Sequence, residues 1–152
     1  MIFSSDRDVE HIAVGLLRRT LPKFEWNHAA HFAAALWLLR HCPHLVEGGG
    51  MPALIQAYNE STGTANTDNS GYHETITVAS LRAAAAFLGR YANDIPLHRI
   101  ANDLLASRFG DPAWLMDYRS RPRLFSAEAR RRWIAPDIEG LPFPRLRTSR
   151  LE

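Results

Sequence analysis

The chain has 152 residues, of which 46% are hydrophobic and 22% are charged. This composition fits one globular domain and excludes an intrinsically disordered protein. No apolar run reaches the roughly 18–20 residues of a membrane span, and the N-terminus lacks the basic region and apolar core of a signal peptide. A single cysteine, Cys42, excludes a disulfide framework and a multi-cysteine zinc site. We therefore expect a cytoplasmic protein with no membrane partner, in which histidine and carboxylate side chains would bind any metal.

Apolar residues at helical spacing predict five main helices. These cover about residues 7–20, 28–42, 52–60, 72–91 and 96–110. Asn27 is the predicted N-cap of the second helix, and Pro43 is predicted to end it. Because the second helix is apolar on nearly every face, we expect it to be buried at the centre of the domain.

The C-terminal part of the chain carries shorter elements. Helical turns are predicted at 112–118 and 126–133, and from Ala135 onward proline and glycine residues predict extended chain. No segment alternates with the two-residue period of a strand. The sequence therefore predicts an all-α, single-domain helical bundle over residues 1–144, with an extended C-terminal segment that wraps around it, and a basic tail at 145–152.

Helix direction predicts that the polar residues of the core helices meet at one end of the bundle. The second, third and fourth helices are joined by connections of about ten residues, for which an up-down-up arrangement is the default. The N-termini of the second and fourth helices then lie beside the C-terminus of the third. The polar residues predicted to meet there are His28, His31, Asn59, Glu60, Tyr72, His73 and Glu74. The polar loop 61–71 would cover them as a lid or binding loop.

Three histidines of this layer suggest a metal site. His28 and His31 are three residues apart and share a helix face, and His73 falls on the inward stripe of the fourth helix. Three imidazoles with an open fourth position suffice for Zn²⁺, or for Fe²⁺ or Mn²⁺ if a carboxylate joins them. Such a metal would lower the pKa of its bound water towards 7 and make it a nucleophile. In the simpler interpretation, histidines in a first helical turn bind only backbone carbonyls or water.

The other residues of the layer are predicted to act on a substrate. Glu74 is rotated by about 100° from its neighbour His73 on the helix, so we expect it to act as an acid or base rather than as a ligand. Tyr72 is the second predicted catalytic residue, and it orients a small substrate together with Asn59. Trp26, beside the histidine pair, would form a wall of the pocket. Without a metal, a histidine–glutamate pair would still serve in general acid–base catalysis.

The basic C-terminal stretch allows two interpretations. Residues 119–152 carry nine basic and four acidic side chains, a balance that would let them follow nucleic-acid phosphates. Because the acidic residues are interleaved and Arg130–Arg132 point in three directions, we favour a solvated or internally paired face. Arg130, with Asp137, would instead reach over the pocket and bind a substrate carboxylate in bidentate fashion.

Three hypotheses for function follow. The leading one is a small metal-dependent enzyme that acts on a small, possibly anionic molecule. The second is a non-catalytic module that binds a small molecule in the same pocket. The third and weakest is nucleic-acid or partner binding through the arginine-rich C-terminus. A homodimer is compatible with each of them.

Several of these motifs together resemble a family of small bacterial helical proteins with no established activity. The motifs are Trp26-Asn27-His28-Ala29-Ala30-His31, Tyr72-His73-Glu74-Thr75-Ile76-Thr77, and the later Leu124-Phe125-Ser126, Ala129-Arg130 and Pro136-Asp137. The resemblance covers about residues 24–144, and the Tyr-His-Glu-Thr-Ile-Thr hexapeptide is its most specific part. It implies a shared site without a reaction, and it implies that Ser126, Arg130 and Asp137 belong to the domain.

Overall fold

The computed structural model describes residues 2–146, and within them the protein is all-α with no strand. The helices in chain order are α1 (Asp6–Arg18), α2 (His28–His41), α3 (Pro43–Glu47), α4 (Met51–Ser61), α5 (Glu74–Leu88), α6 (Leu97–Ala106), α7 (Arg121–Leu124) and α8 (Ala127–Arg131). Short 3-10 turns lie at Lys23–Glu25, Arg108–Gly110 and Trp114–Asp117. The all-α, single-domain prediction is confirmed, and the five main helices are α1, α2, α4, α5 and α6. Most of the predicted basic tail, residues 147–152, lies outside the described residues.

Helix α2 is the centre of the domain, as its composition predicts. It packs against α1, α3, α5 and α6. The side chain of Asn27 accepts a hydrogen bond from the Ala30 amide at 2.9 Å, which satisfies one of the free N–H groups of the first turn. The buried residues of α2 include Phe32, Leu36 and Leu38, and they lie on several faces of the helix. Burial of this kind is what makes an almost entirely apolar helix stable.

Several helix boundaries differ from the sequence prediction: α5 ends at Leu88 and α6 at Ala106, three and four residues before their predicted ends. Two further differences have a clear local cause. Helix α5 begins at Glu74 and not at Tyr72, because His73 has extended backbone angles and acts as the N-cap. The second difference is that Pro43 ends α2 but also opens the short helix α3. Proline fits the first turn of a helix because that turn does not use its missing N–H. The short helices α3 and α7 lie outside the predicted elements.

The C-terminal segment, residues 120–146, packs along α5 and is held there by backbone contacts. The Thr75 hydroxyl donates to the Arg132 carbonyl at 2.8 Å and accepts from the Ile134 amide at 3.1 Å. The guanidinium of Arg82 donates to the carbonyl of Phe143, whose ring is buried. Because side chains of a helix supply the partners, an irregular segment keeps its backbone groups satisfied.

Arg119 anchors the same segment from inside. Its side chain is fully buried, and its Nε and Nη2 donate to the Ile134 carbonyl at 3.0 and 2.6 Å. The guanidinium lies 4.6 Å from the centroid of the Trp133 ring, a cation–π contact. Burial lowers the pKa of Arg119 to about 10, which leaves the residue charged at neutral pH.

Within residues 2–146, every helix is too short or too polar to cross a membrane.

Candidate functional site

A cavity of about 440 Å³ lies between α2, α4, α5 and the loop that connects α4 to α5. This volume falls in the range of about 300–1,000 Å³ that is typical of small-ligand sites. Its wall is mostly apolar. The apolar lining residues are Leu16, Trp26, Ala34, Ala35, Met51, Ile55, Ile76 and Leu81. A second depression, of about 560 Å³, lies on the surface of α1 and includes none of the predicted site residues.

Six of the nine predicted site residues line this cavity. They are Trp26, His31, Asn59, Tyr72, His73 and Arg130. The remaining three, His28, Glu74 and Asp137, are not among the lining residues. The first halves of α2 and α5 thus contribute to one site with α4, which lines the cavity from Met51 to Asn59. The end of α4 meets the starts of the other two helices, as helix direction predicts. The hydrogen-bond partners of each of these residues determine whether it can contact a ligand.

His31 is the histidine that remains free for a ligand. Its ring stacks at 4.1 Å, centroid to centroid, on Trp26, and within residues 2–146 neither ring nitrogen has a hydrogen-bond partner. The residue is exposed to solvent, while the protein packed around its ring lowers the pKa of His31 to about 4, mainly by desolvation and to a lesser extent through His28. His31 is a neutral imidazole at pH 7, able both to donate and to accept a hydrogen bond.

His28 is tied to a different part of the fold. Its Nε2 donates to the carbonyl of Phe109 at 2.7 Å, and its ring meets the ring of Phe32 edge-on at 5.3 Å. These contacts attach the first turn of α2 to the 3-10 turn after α6. The residue therefore has a structural role that its spacing from His31 does not reveal.

His73 has both ring nitrogens engaged. Nδ1 accepts from the Ile76 amide at 3.1 Å, and Nε2 donates to the Leu124 carbonyl at 2.8 Å. Since an amide must donate and a carbonyl must accept, the ring is the neutral tautomer with its proton on Nε2. Burial is the main cause that lowers the pKa of His73, and the nearby positive charge of Arg130 acts in the same direction.

The three histidines are therefore not placed as a set of metal ligands. Within the described residues, no group of three or more histidine, cysteine, aspartate or glutamate side chains is arranged to hold a metal ion. A metal on Nδ1 or Nε2 of His73 would require the loss of the N-cap or of the bond to Leu124. His28 would have to give up Phe109 or turn its other nitrogen. Of the three, only His31 has both ring nitrogens without a partner in the part of the chain that the structure describes.

Tyr72 and Glu74, the predicted catalytic pair, are directed at each other. The Tyr72 hydroxyl donates a short hydrogen bond to Oε1 of Glu74. Burial and this carboxylate raise the pKa of Tyr72 well above its ordinary value, so the phenol stays protonated. Burial also raises the pKa of Glu74, and the bond from Tyr72 opposes that change. Tyr72 borders the cavity, but its hydroxyl proton and the carboxylate of Glu74 are engaged with each other.

Asn66, which the sequence interpretation did not single out, fixes the roof of the cavity. Its Oδ1 accepts from Nδ2 of Asn59 and from the amide of Tyr72, each at 3.0 Å. Its Nδ2 donates to the Gln56 carbonyl at 3.0 Å. Gly71 has φ of 77°, and a Cβ there would lie 2.6 Å from Asn66 Oδ1. The loop is thus built as a fixed roof, and the amide of Asn59 is part of that roof.

Three consecutive arginines at the end of α8 have different partners. Arg130 borders the cavity, and its Nη1 donates to the Gly71 carbonyl at 3.0 Å and to the Tyr72 carbonyl at 3.4 Å. Arg131 forms an ion pair with Asp68 at 3.3 Å, and Arg132 forms one with Glu128. Only Arg130 therefore contributes to the site. The other two form a solvated, internally paired face.

Asp137 lies on the surface with its own structural partner. It accepts hydrogen bonds from the amide and the hydroxyl of Ser120, at 2.8 and 2.7 Å. The bond from the Ser120 hydroxyl is the largest cause that lowers the pKa of Asp137. The carboxylate closes the turn before α7 and is not placed beside Arg130 in the cavity wall.

Comparison of the chain with protein-family models, with curated proteins and with solved structures found no match in any of the three. The resemblance suggested by the Tyr-His-Glu-Thr-Ile-Thr hexapeptide stays a prediction.

Proposed function

We propose that the protein binds a small, largely apolar molecule in the cavity between α2, α4 and α5. The observation that carries this proposal is an apolar cavity of about 440 Å³ that is bordered by His31, whose ring nitrogens have no hydrogen-bond partner within residues 2–146. A concave, mostly apolar site with a few convergent polar groups is the usual form of a small-molecule site. In such a site the apolar wall supplies binding energy, and His31 fixes the orientation of the ligand by a hydrogen bond.

The geometry supports binding more than it supports metal-dependent or acid–base catalysis. An effective general acid or base has a pKa near the working pH, whereas the pKa of His31 is shifted well below it. The hydroxyl of Tyr72 and the carboxylate of Glu74 are bonded to each other. A metal-dependent enzyme, the competing proposal, would need His28 and His73 to leave their carbonyl partners. The single thiol, Cys42, is unpaired, which supports a cytoplasmic location as part of the same proposal.

The test is a fluorescence titration with N-phenyl-1-naphthylamine, an uncharged probe that emits strongly in an apolar site. The expected result is saturable binding with one site per chain. Ser80 borders the cavity on α5, and Ser80→Phe fills the space that the probe would occupy. Because the ring competes with the probe for the same space, probe affinity should fall about tenfold or more, a loss of at least about 1.4 kcal/mol in binding free energy.

A matched variant separates loss of the cavity from general damage. Ala53→Phe adds the same ring at an exposed position of α4 that does not border the cavity. Its affinity for the probe should equal that of the wild type. Equal affinity in the Ser80→Phe protein, or no binding by the folded wild type, would contradict the proposed function.

A further inference from the structure

The cavity has a net positive lining. Its charged lining residues are Lys23 and Arg130, and none of its lining residues is an aspartate or a glutamate. Both lining histidines are neutral at pH 7, as described above. An apolar space with two cations and no anion at its border favours a ligand that itself carries negative charge.

Arg130 has the bonding capacity that such a ligand requires. Two acidic side chains neutralise its neighbours Arg131 and Arg132, while Arg130 forms no ion pair within residues 2–146. Its Nη1 is used by the carbonyls of Gly71 and Tyr72. The other edge of the guanidinium, Nε and Nη2, has no partner in the same part of the chain. That edge presents two parallel N–H groups at the spacing of a carboxylate.

The position of Arg130 is also fixed before any ligand arrives. The two carbonyls that hold Nη1 belong to the residues between the cavity roof and α5, and Asn66 holds the Tyr72 amide from the other side. The side chain is half-buried. Because a fixed arginine loses less conformational entropy on binding than a free surface arginine, it is a better anion site.

We propose that the ligand is a small amphipathic carboxylate, with its apolar body in the cavity and its carboxylate on the Nε–Nη2 edge of Arg130. This inference rests on the proposed function and adds the chemical class of the ligand. A planar carboxylate is preferred to a phosphate, because the one fixed bidentate edge pairs both oxygens of a carboxylate but leaves the further oxygen of a phosphate without a fixed donor. Lys23 lies on an exposed 3-10 turn at the border of the cavity and adds attraction without fixed geometry.

Two probes of almost identical shape isolate the charge of the ligand. 2-Naphthoate is an anion, and 2-naphthamide is its neutral analogue. Each is titrated as a competitor that displaces N-phenyl-1-naphthylamine from the wild-type protein. A bidentate, charge-assisted contact should make 2-naphthoate bind about tenfold more tightly than the amide. Equal displacement by the two compounds would overturn the inference.

Variants of neighbouring arginines then locate the charge contact. Arg130→Gln should remove the preference for 2-naphthoate, whereas Arg131→Gln makes the same charge change outside the cavity and should keep it. Arg130→Lys keeps the charge without the bidentate edge and should lose most of the preference. A full preference in either Arg130 variant would overturn the assignment, and thermal melting establishes that each variant is folded. If Arg130→Gln does not fold, the preference of Arg130→Lys for 2-naphthoate over 2-naphthamide decides whether Arg130 binds the carboxylate.

Failure of this inference is distinguishable from failure of the proposed function. The neutral probe alone reports whether the cavity binds small molecules. If N-phenyl-1-naphthylamine binds and the two competitors do not differ, the cavity binds ligands without regard to charge. If the neutral probe does not bind, both proposals are wrong.

Discussion

His31 and His73 border the same cavity, one on α2 and the other at the start of α5, but the surrounding chain uses them differently. Both nitrogens of His73 are bonded to the backbone, one to cap α5 and one to hold Leu124. The ring of His31 packs on Trp26 and leaves its nitrogens to the cavity. Only the second arrangement offers a ligand a hydrogen-bonding group without a cost in stability.

The partners of an imidazole, rather than its position in a helical pattern, therefore determine its role. His28 supports this conclusion. It is three residues from His31 on the same helix, yet it bonds to the Phe109 carbonyl and so joins α2 to a distant turn. Buried polar groups are costly when unpaired, so a histidine that is fully bonded inside the fold contributes to stability first.

The largest expected effect is on the stability contributed by His73. His73→Ala removes the N-cap of α5 and leaves the Leu124 carbonyl without its donor. The free energy of unfolding should fall by about 2–4 kcal/mol, measured by urea denaturation. His73→Asn keeps a capping oxygen and should recover about 1 kcal/mol of that loss. A change of less than about 0.5 kcal/mol in His73→Ala would mean that the ring is not bonded as described.

The roof above His31 gives the next largest effect. Asn66→Ala removes three hydrogen bonds, to Asn59, Tyr72 and Gln56. The free energy of unfolding should fall by about 1–3 kcal/mol, and affinity for N-phenyl-1-naphthylamine should fall as well. Asn69→Ala is the control, because Asn69 is an exposed asparagine of the same loop. If Asn66→Ala binds the probe as well as Asn69→Ala does, the roof does not shape the site.

A smaller effect concerns the pH dependence of stability. Below pH 6.5 the unfolded chain protonates His31, whereas the folded protein does so only near pH 4. The contribution of a neutral His31 to the free energy of unfolding is therefore fully present above pH 6.5 and is lost as the pH falls towards 4. His31→Gln should flatten this part of the profile, leaving the contribution of the depressed pKa of His73. An unchanged slope in His31→Gln, measured by thermal melting between these pH values, would contradict the shifted pKa.

The smallest expected effect is that of metal ions. Protein purified without a histidine tag should contain no stoichiometric metal, because His28 and His73 are bonded to carbonyls. Excess Zn²⁺, Mn²⁺ or Fe²⁺ should leave the Tm unchanged. A ligand that binds only the folded protein raises the Tm with its concentration. Such a rise, abolished in His31→Gln, would restore the metal-dependent enzyme as the better proposal.

Local rules predicted the elements of the fold well. The Asn27 cap and the burial of α2 follow from composition and capping chemistry, and helix direction alone places Asn59 and His31 at one cavity. The start of α5 was misplaced by two residues, because a histidine that caps a helix through Nδ1 looks in sequence like a first-turn residue.

The roles of individual side chains depended on contacts that local sequence does not contain. His28 bonds to a carbonyl 81 residues later in the chain, and His73 to one 51 residues later. Backbone carbonyls carry no side-chain signature, so no motif indicates these partners. The same holds for Asn66, whose three partners depend on how the loop folds back on α4.

The role of His31 as the histidine that binds the ligand is tested most directly by an NMR titration of the histidine ring nitrogens with N-phenyl-1-naphthylamine. The nitrogen shifts report tautomer and hydrogen bonding for each imidazole separately. The ring nitrogens of His31 should shift as the probe binds, while His73 remains the tautomer protonated on Nε2 and His28 keeps its bond to Phe109. Saturable binding of the probe with no shift at His31, or equal shifts at all three rings, would contradict this role of His31.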